Sequence, residues 1–209
     1  MRKIAQRDDI RDLILDGVDA LLAKYGYKKM TMEDLAREVG IGKGTIYLHF
    51  PSKEELALSH VDRIVERLLE RLAEVGRGGG PPADKLRTMV VMRVLHRYDA
   101  VAHYSESLND LLSAVREELL VRRQSHFERE AQALAGVLED GLRRGDFEYP
   151  DGREAAWILI WSTNSLLPFS LPARELGKRA ELEKRATRIA ELLLKGLSPQ
   201  SGGRLNRRR

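Results

Sequence analysis

The chain has 209 residues and a mass of 23.7 kDa, enough for one or two domains with a hydrophobic core. It contains no cysteine, which excludes disulfides, thiolate catalysis and cysteine-based zinc sites. The net charge of +4 comes from the segment 201–209, which holds four arginines and no acid, because residues 1–200 carry equal numbers of acidic and basic residues. Composition alone therefore does not indicate nucleic-acid binding, and such a function must be visible locally.

No segment predicts a membrane span or a secretory leader. The longest unbroken apolar run, over 155–161, has seven residues, whereas a spanning helix needs about 20. The basic start of the chain is followed by no apolar stretch, which argues against a signal peptide. Together with the absence of cysteine, these features lead us to expect a cytoplasmic protein without membrane contact.

Helical periodicity dominates the N-terminal part of the chain. The first predicted helix covers residues 9–25, where apolar side chains recur at three- and four-residue intervals, and Gly26 should end it. Two short helices are predicted over about 32–39 and 43–49. A long fourth helix follows over 52–75, and its apolar residues lie on one face.

A linker rich in glycine and proline covers residues 76–82, and helical periodicity resumes after it. The further predicted helices cover about 83–98, 99–113, 115–144, 153–167 and 174–197. No segment alternates with the period of two that is typical of strands, and no strand–helix–strand order is present. We therefore predict an all-α fold of about nine helices.

The two short helices have the properties of a helix-turn-helix motif over residues 31–50. Gly40 and Gly42 permit a tight turn, and Ile46 and Phe50, four residues apart, should be buried. Thr31, followed by Asp34 three positions later, resembles a capping box. The residues of the second helix left facing outward are Lys43, Gly44, Thr45, Tyr47 and His49.

The second helix of the motif and the residues on either side of it carry no acid. No carboxylate occurs from Val39 to Lys53. Lysines there can neutralise phosphates and release counterions, and an exposed tyrosine hydroxyl can donate to a phosphate. Local charge thus favours double-stranded DNA as the partner. The alternative is a small helical bundle with Tyr47 in its core and Lys43 merely solvated.

The residues 45–56, Thr-Ile-Tyr-Leu-His-Phe-Pro-Ser-Lys-Glu-Glu-Leu, resemble the DNA-binding domain of the TetR/AcrR family of bacterial transcription regulators. The resemblance covers about residues 9–60. It implies a homodimeric repressor that binds operator DNA and responds to a small molecule. It also implies an N-terminal three-helix DNA-binding domain over 1–60 and a helical ligand-binding and dimerisation domain over 61–200. The basic tail over 201–209 is expected to be disordered.

The resemblance also implies roles for eight residues: Thr31, Met32, Lys43, Gly44, Thr45, Tyr47, His49 and Lys53. The first two open the motif near the DNA backbone, the next three lie where base edges are read, and the last three are expected at phosphates. Because glycine offers no side chain, base readout would depend on few side chains and on groove shape.

Six residues are candidates for an effector site: Arg93, His96, Tyr104, Trp157, Trp161 and Phe169. Arg93 and His96 lie on a helix that is apolar nearly all round, so they need buried partners or a ligand. An internal ion pair, for example with Glu106, is favoured over an anionic ligand group. The aromatic candidates favour a largely apolar or aromatic effector, and core or dimer packing of the tryptophans is the alternative.

Other function classes are less compatible with the sequence. Dinucleotide-binding, P-loop and nucleophile-elbow motifs are absent, so we expect no catalytic residue and no cofactor. His96 and His103 have no third ligand at a matching spacing, so no metal site is expected. An architectural DNA binder without an effector would have a filled second domain, whereas a regulator needs a concave pocket.

Three expectations concern assembly and coupling. The apolar faces of the last two predicted helices would pair with a twofold mate in a four-helix interface. The helix over 52–75 would be the only continuous element joining the two domains. Arg2, Lys3 and Arg7 should precede the first helix as a solvated arm, and insertion of this arm into the minor groove is the alternative.

Overall fold

The structure, a computed structural model, describes residues 2–168 and 177–199, with side chains from Ile10 onward. Across these ranges it contains helices and turns but no strand, so the all-α prediction is confirmed. The helices are α1 (Arg2–Lys29), α2 (Met32–Val39), α3 (Lys43–His49), α4 (Lys53–Arg77), α5 (Pro82–Val101), α6 (Ser105–Ala114), α7 (Arg116–Arg144), α8 (Gly152–Asn164) and α9 (Arg179–Leu197), with a 3₁₀ turn over Ala102–Tyr104. Phe169 and the tail over 201–209 lie outside the described residues.

The chain forms two compact units that interleave along the sequence. Unit 1 comprises Met1–Arg67, His96–His126 and Leu167–Gly177, and unit 2 comprises Leu68–Leu95, Phe127–Leu166 and Lys178–Arg209. The sequence predicts two domains that follow one another along the chain, with the boundary at residue 60. In the structure each unit is built from three separate segments, and α4, α5 and α7 each contribute residues to both units. The helix predicted over 52–75 is therefore not the only continuous element shared by both parts of the chain.

Helix α1 begins earlier than predicted, and its regular conformation is interrupted at Gly26, where the sequence predicts its end. It begins at Arg2, so residues 2–9 are helical and do not form the predicted arm. Gly26 has a φ of 73°, a left-handed conformation that favours glycine, and one further turn continues to Lys29. A side chain at Gly26 would also collide with α6, because an ideal Cβ would lie 2.9 Å from Cβ of Ser107.

The core of unit 1 includes a buried histidine. Nε2 of His60 lies 3.1 Å from the Tyr104 hydroxyl and 3.6 Å from Oδ1 of Asp19. Burial, with a smaller contribution from the positive charge of Arg63, lowers the pKa of His60 to about 3. Burial likewise raises the pKa of Tyr104. Both side chains are therefore neutral near pH 7, and Tyr104 belongs to the core of unit 1.

Unit 2 contains a buried ion pair between α5 and α7. Nε of Arg93 lies 2.6 Å from Oε2 of Glu130, and both side chains are 0% exposed. Nη1 of Arg93 also donates to Oγ1 of Thr163 at 2.9 Å, and the guanidinium lies 5.1 Å from the ring centroid of Phe127. The expected internal ion pair is present, but the partner of Arg93 is Glu130 and not Glu106.

Within the two described ranges, every helix is too short or too polar to cross a bilayer. No cluster of three histidine, aspartate or glutamate side chains in that part of the chain is arranged to hold a metal ion.

We expect His60 to make the stability of the fold depend on pH. The unfolded chain protonates this residue near pH 6.5, whereas the folded protein keeps it neutral down to about pH 3. Its contribution is thus complete above pH 6.5 and is lost on acidification, by at most about 1.4 kcal/mol per pH unit. Urea unfolding at pH 7 and pH 5 should show a larger loss of unfolding free energy for the parent than for His60→Gln. Equal losses would contradict this account.

Candidate nucleic-acid interface

Helix α2 begins with the capping box that the sequence predicted. Oγ1 of Thr31 accepts a hydrogen bond from the Asp34 N–H at 3.0 Å, and Oδ2 of Asp34 accepts one from the Thr31 N–H at 3.2 Å. The hydrogen bonds from Thr31 also lower the pKa of Asp34, which keeps a negative charge at the positive end of the helix. The start of the motif is therefore fixed by local contacts.

The turn between α2 and α3 depends on one glycine rather than two. Gly40 ends α2 with a φ of 74°, and its N–H donates to the Ala36 carbonyl. Gly42 has a φ of −67°, which any residue can adopt, so of the two glycines that permit the tight turn only Gly40 uses a conformation that favours glycine.

Helix α3 is anchored on one side and exposed on the other. Ile46 and Phe50 are fully buried, as the sequence predicted. Lys43 and Gly44 are exposed, and Tyr47 is 45% exposed. The sequence interpretation did not identify Leu48, although this side chain is 78% exposed on the same helix. Its position, directly after Tyr47 and two residues before the anchor Phe50, was the available signal.

Four of the other predicted contact residues are less accessible. Met32 is buried in the core of unit 1, so only its backbone can face a ligand. Thr45 and His49 are half-buried. Nζ of Lys53 lies 4.4 Å from the ring centroid of Tyr27, and burial lowers the pKa of Lys53. These four residues therefore have structural contacts in addition to any contact with DNA.

The five effector candidates that the structure describes are divided between the two units. His96 belongs to unit 1, and its Nε2 hydrogen-bonds with the Ile64 carbonyl at 2.9 Å, while Tyr104 contacts His60. Arg93 lies in unit 2 with Trp157 and Trp161. The structure brings the tryptophans together, with ring centroids 5.5 Å apart, and leaves Trp161 62% exposed.

A groove of about 480 Å³ lies in unit 2 between α7 and α8. It is lined by Glu128, Ala131, Gln132, Ala135, Gly136, Glu139, Arg153 and Trp157. Ala131, Ala135, Gly136 and Trp157 form its apolar part, and Gln132 and the charged side chains supply polar groups. Trp157 is the only effector candidate among these lining residues.

Comparison with known proteins decides the family. The family model for bacterial regulatory proteins of the tetR family matches residues 14–59, which contain α2 and α3. The uncharacterized HTH-type transcriptional regulator YhgD from Bacillus subtilis is 38% identical over 160 residues, covering 73% of this chain and 79% of YhgD. The chain belongs to the tetR family of bacterial regulatory proteins. Its relatives are transcriptional regulators and not enzymes.

Two other regulators are similar over a shorter segment or at a lower sequence identity. The transcriptional repressor KstR from Mycolicibacterium smegmatis is 36% identical over 86 residues, which cover 41% of this chain and 42% of KstR. The match thus spans less than half of KstR. The regulator FadR from Bacillus subtilis, solved in complex with stearoyl-CoA, superposes with a TM-score of 0.61 over 88% of this chain and 98% of FadR. At 19% identity, this likeness to FadR shows the fold alone.

Proposed function

We propose that this tetR-family protein is a cytoplasmic, sequence-specific repressor that binds operator DNA as a homodimer and responds to a small-molecule effector. The observation that carries the proposal is the exposed face of α3. Lys43, Tyr47 and Leu48 protrude from a helix whose other side is anchored in the core. The absence of carboxylates from Val39 to Lys53 suits this face to a phosphate backbone.

Each exposed residue of α3 matches a chemical feature of DNA. The Lys43 ammonium can neutralise a phosphate, and the Tyr47 hydroxyl can donate to one. Leu48 can contact a thymine methyl group in the major groove. Gly44 leaves space for close approach, because an ideal Cβ there would meet no atom within 4 Å. Thr31, Met32, Thr45, His49 and Lys53 remain in the proposal as flanking contacts.

Lys43→Ala should weaken binding to an operator duplex selected from a random pool. It should also reduce the slope of log K against log salt by about one, because one phosphate contact is lost. Tyr47→Phe removes a neutral hydroxyl, so affinity should fall while the slope stays unchanged. Arg77→Ala, at the exposed C-terminal end of α4, is the charge-matched control and should change neither quantity. Parent-like affinity and slope for Lys43→Ala would contradict the assignment of α3.

A homodimer is supported by the outer faces of α8 and α9. Helix α9 buries Leu182, Ala186, Ala190, Leu194 and Leu197 within unit 2. A second apolar strip remains, in which Ile189 and Leu193 are half-buried and Leu192 is 73% exposed. Trp161 on α8 is also exposed. Exposed apolar strips on two helices that pack together are what a twofold mate would cover in a four-helix interface.

The groove between α7 and α8 is the proposed effector site. Its volume lies within the range of small-molecule pockets, and Ala131, Ala135 and Trp157 favour a partly apolar or aromatic ligand. Bound stearoyl-CoA in FadR supports a small-molecule effector in a protein of this fold. An anionic group at Arg93 would first have to displace Glu130, so Arg93 is a less accessible candidate than the groove.

Trp157 and Trp161 are the only tryptophans, so their fluorescence reports directly on this region. A compound screen should find ligands that change the fluorescence and release operator DNA together. Trp157→Phe and the groove-filling Ala135→Leu should still bind the operator in the absence of the effector. The effector should release much less operator DNA from these two variants than from the parent. Trp161→Phe is the matched control, because Trp161 does not line the groove. An effector that acts equally on all these variants would place the site elsewhere.

A further inference from the structure

Helix α3 is too short to maintain its own orientation. It has seven residues, whereas isolated helices shorter than about 12 residues are marginal in water. The carbonyls of its last turn lack donors within the helix, apart from the bond from the Phe50 N–H to the Ile46 carbonyl. The direction in which α3 points must therefore be set by neighbouring elements of unit 1.

Arg11 on α1 contacts α3 at this weak end. Its Nη1 donates to the carbonyl of His49, the last residue of α3, at 3.0 Å. Its guanidinium carbon also lies 4.4 Å from the ring centroid of Phe50, which is fully buried. One positive group thus satisfies a terminal carbonyl, complements the negative end of the helix dipole and packs on the aromatic anchor.

Helix α1 is itself held in place, so Arg11 extends from a fixed support. An ideal Cβ at Gly17 would lie 2.5 Å from Cγ2 of Val39 and 3.0 Å from a methyl group of Leu35, so α1 packs directly on α2. Nη1 of Arg63 on α4 donates to Oδ1 of Asp16 at 2.7 Å. Since α1 contacts the helices before and after α3, its position determines where the Arg11 guanidinium lies.

We propose that Arg11 is a positioning residue for base readout. This inference rests on the DNA-binding function proposed above. Arg11 fixes the end of α3 so that Tyr47 and Leu48 meet the major groove in one register, and it acts through His49 and Phe50 rather than by touching DNA. Base contacts depend on that register, whereas the attraction of lysines to phosphates does not. Loss of Arg11 therefore reduces specific binding and spares non-specific binding.

The test compares the parent, Arg11→Ala and Arg67→Ala on a selected operator duplex and on a scrambled duplex, across a series of salt concentrations. Arg67 lies 3.8 Å from Asp16, so its loss removes the same charge and a contact to α1 while Arg11 stays in place. Arg11→Ala should lower operator affinity by about tenfold, consistent with a lost charge-assisted hydrogen bond. Its affinity for the scrambled duplex and its salt slope should stay close to those of Arg67→Ala.

Two results would overturn the inference. One is an unchanged ratio of operator to scrambled affinity for Arg11→Ala. The other is a salt slope reduced by about one relative to Arg67→Ala, because this would show that Arg11 contacts a phosphate directly. Failure of the proposed DNA-binding function would look different, since Lys43→Ala and Tyr47→Phe would then also bind as the parent does.

Circular dichroism at the assay temperature checks that the variant is folded. If Arg11→Ala is not folded, Arg11→Met takes its place, because methionine keeps an unbranched apolar stem and a high helix propensity but has no donor. The same fall in the affinity ratio is expected for this variant. Amide hydrogen exchange adds a local readout: α3 should exchange faster in the variant while α2 is unchanged, and uniform acceleration would contradict a positioning role.

Discussion

A helix of seven residues, such as α3, must take its orientation from the structure behind it. In this protein, that orientation comes from the burial of Ile46 and Phe50, from the left-handed turn at Gly40, and from α1. Gly17 allows α1 to approach α2 closely, and Arg11 connects α1 to the end of α3. The contacts on the buried side of α3 therefore determine which of its residues are exposed.

The helix-turn-helix could be predicted from sequence because its determinants are local. Thr31 and Asp34 form a capping box within a single turn, and Gly40 ends α2 by its own backbone conformation. Ile46 and Phe50 are four residues apart, which places them on one side of a short helix whatever it packs against. Each of these features is independent of distant parts of the chain.

The remaining features depend on residues that are far apart in the sequence. The sequence predicts that a buried Arg93 pairs with an acidic side chain. That this side chain is Glu130 and not Glu106 follows from the packing of α5 on α7. The single apolar face predicted for the last helix is divided in the structure, which buries Ala186 and Ala190 within unit 2 and leaves Ile189 and Leu193 half-buried. Periodicity shows which positions are apolar, but it does not show which neighbour covers them.

The same limit applies to the candidate site. Lys43 and Tyr47 are exposed as expected, but Met32 is buried and Lys53 lies on Tyr27. Arg11 gave no signal, because a single arginine on an amphipathic helix is usually a solvated charge. Its contact with His49 spans 38 positions of the chain and becomes visible only in the folded protein.

The central claim is that two copies of α3, held by their own α1 helices, read DNA as a pair. Selection of duplexes from a random pool by the parent protein, combined with the mass of the resulting complex, tests this claim most directly. The selected duplexes should converge on a palindrome bound by two chains, with half-site centres about one helical turn, ~34 Å, or somewhat more apart. Convergence on an asymmetric site bound by one chain, or no convergence at all, would contradict it.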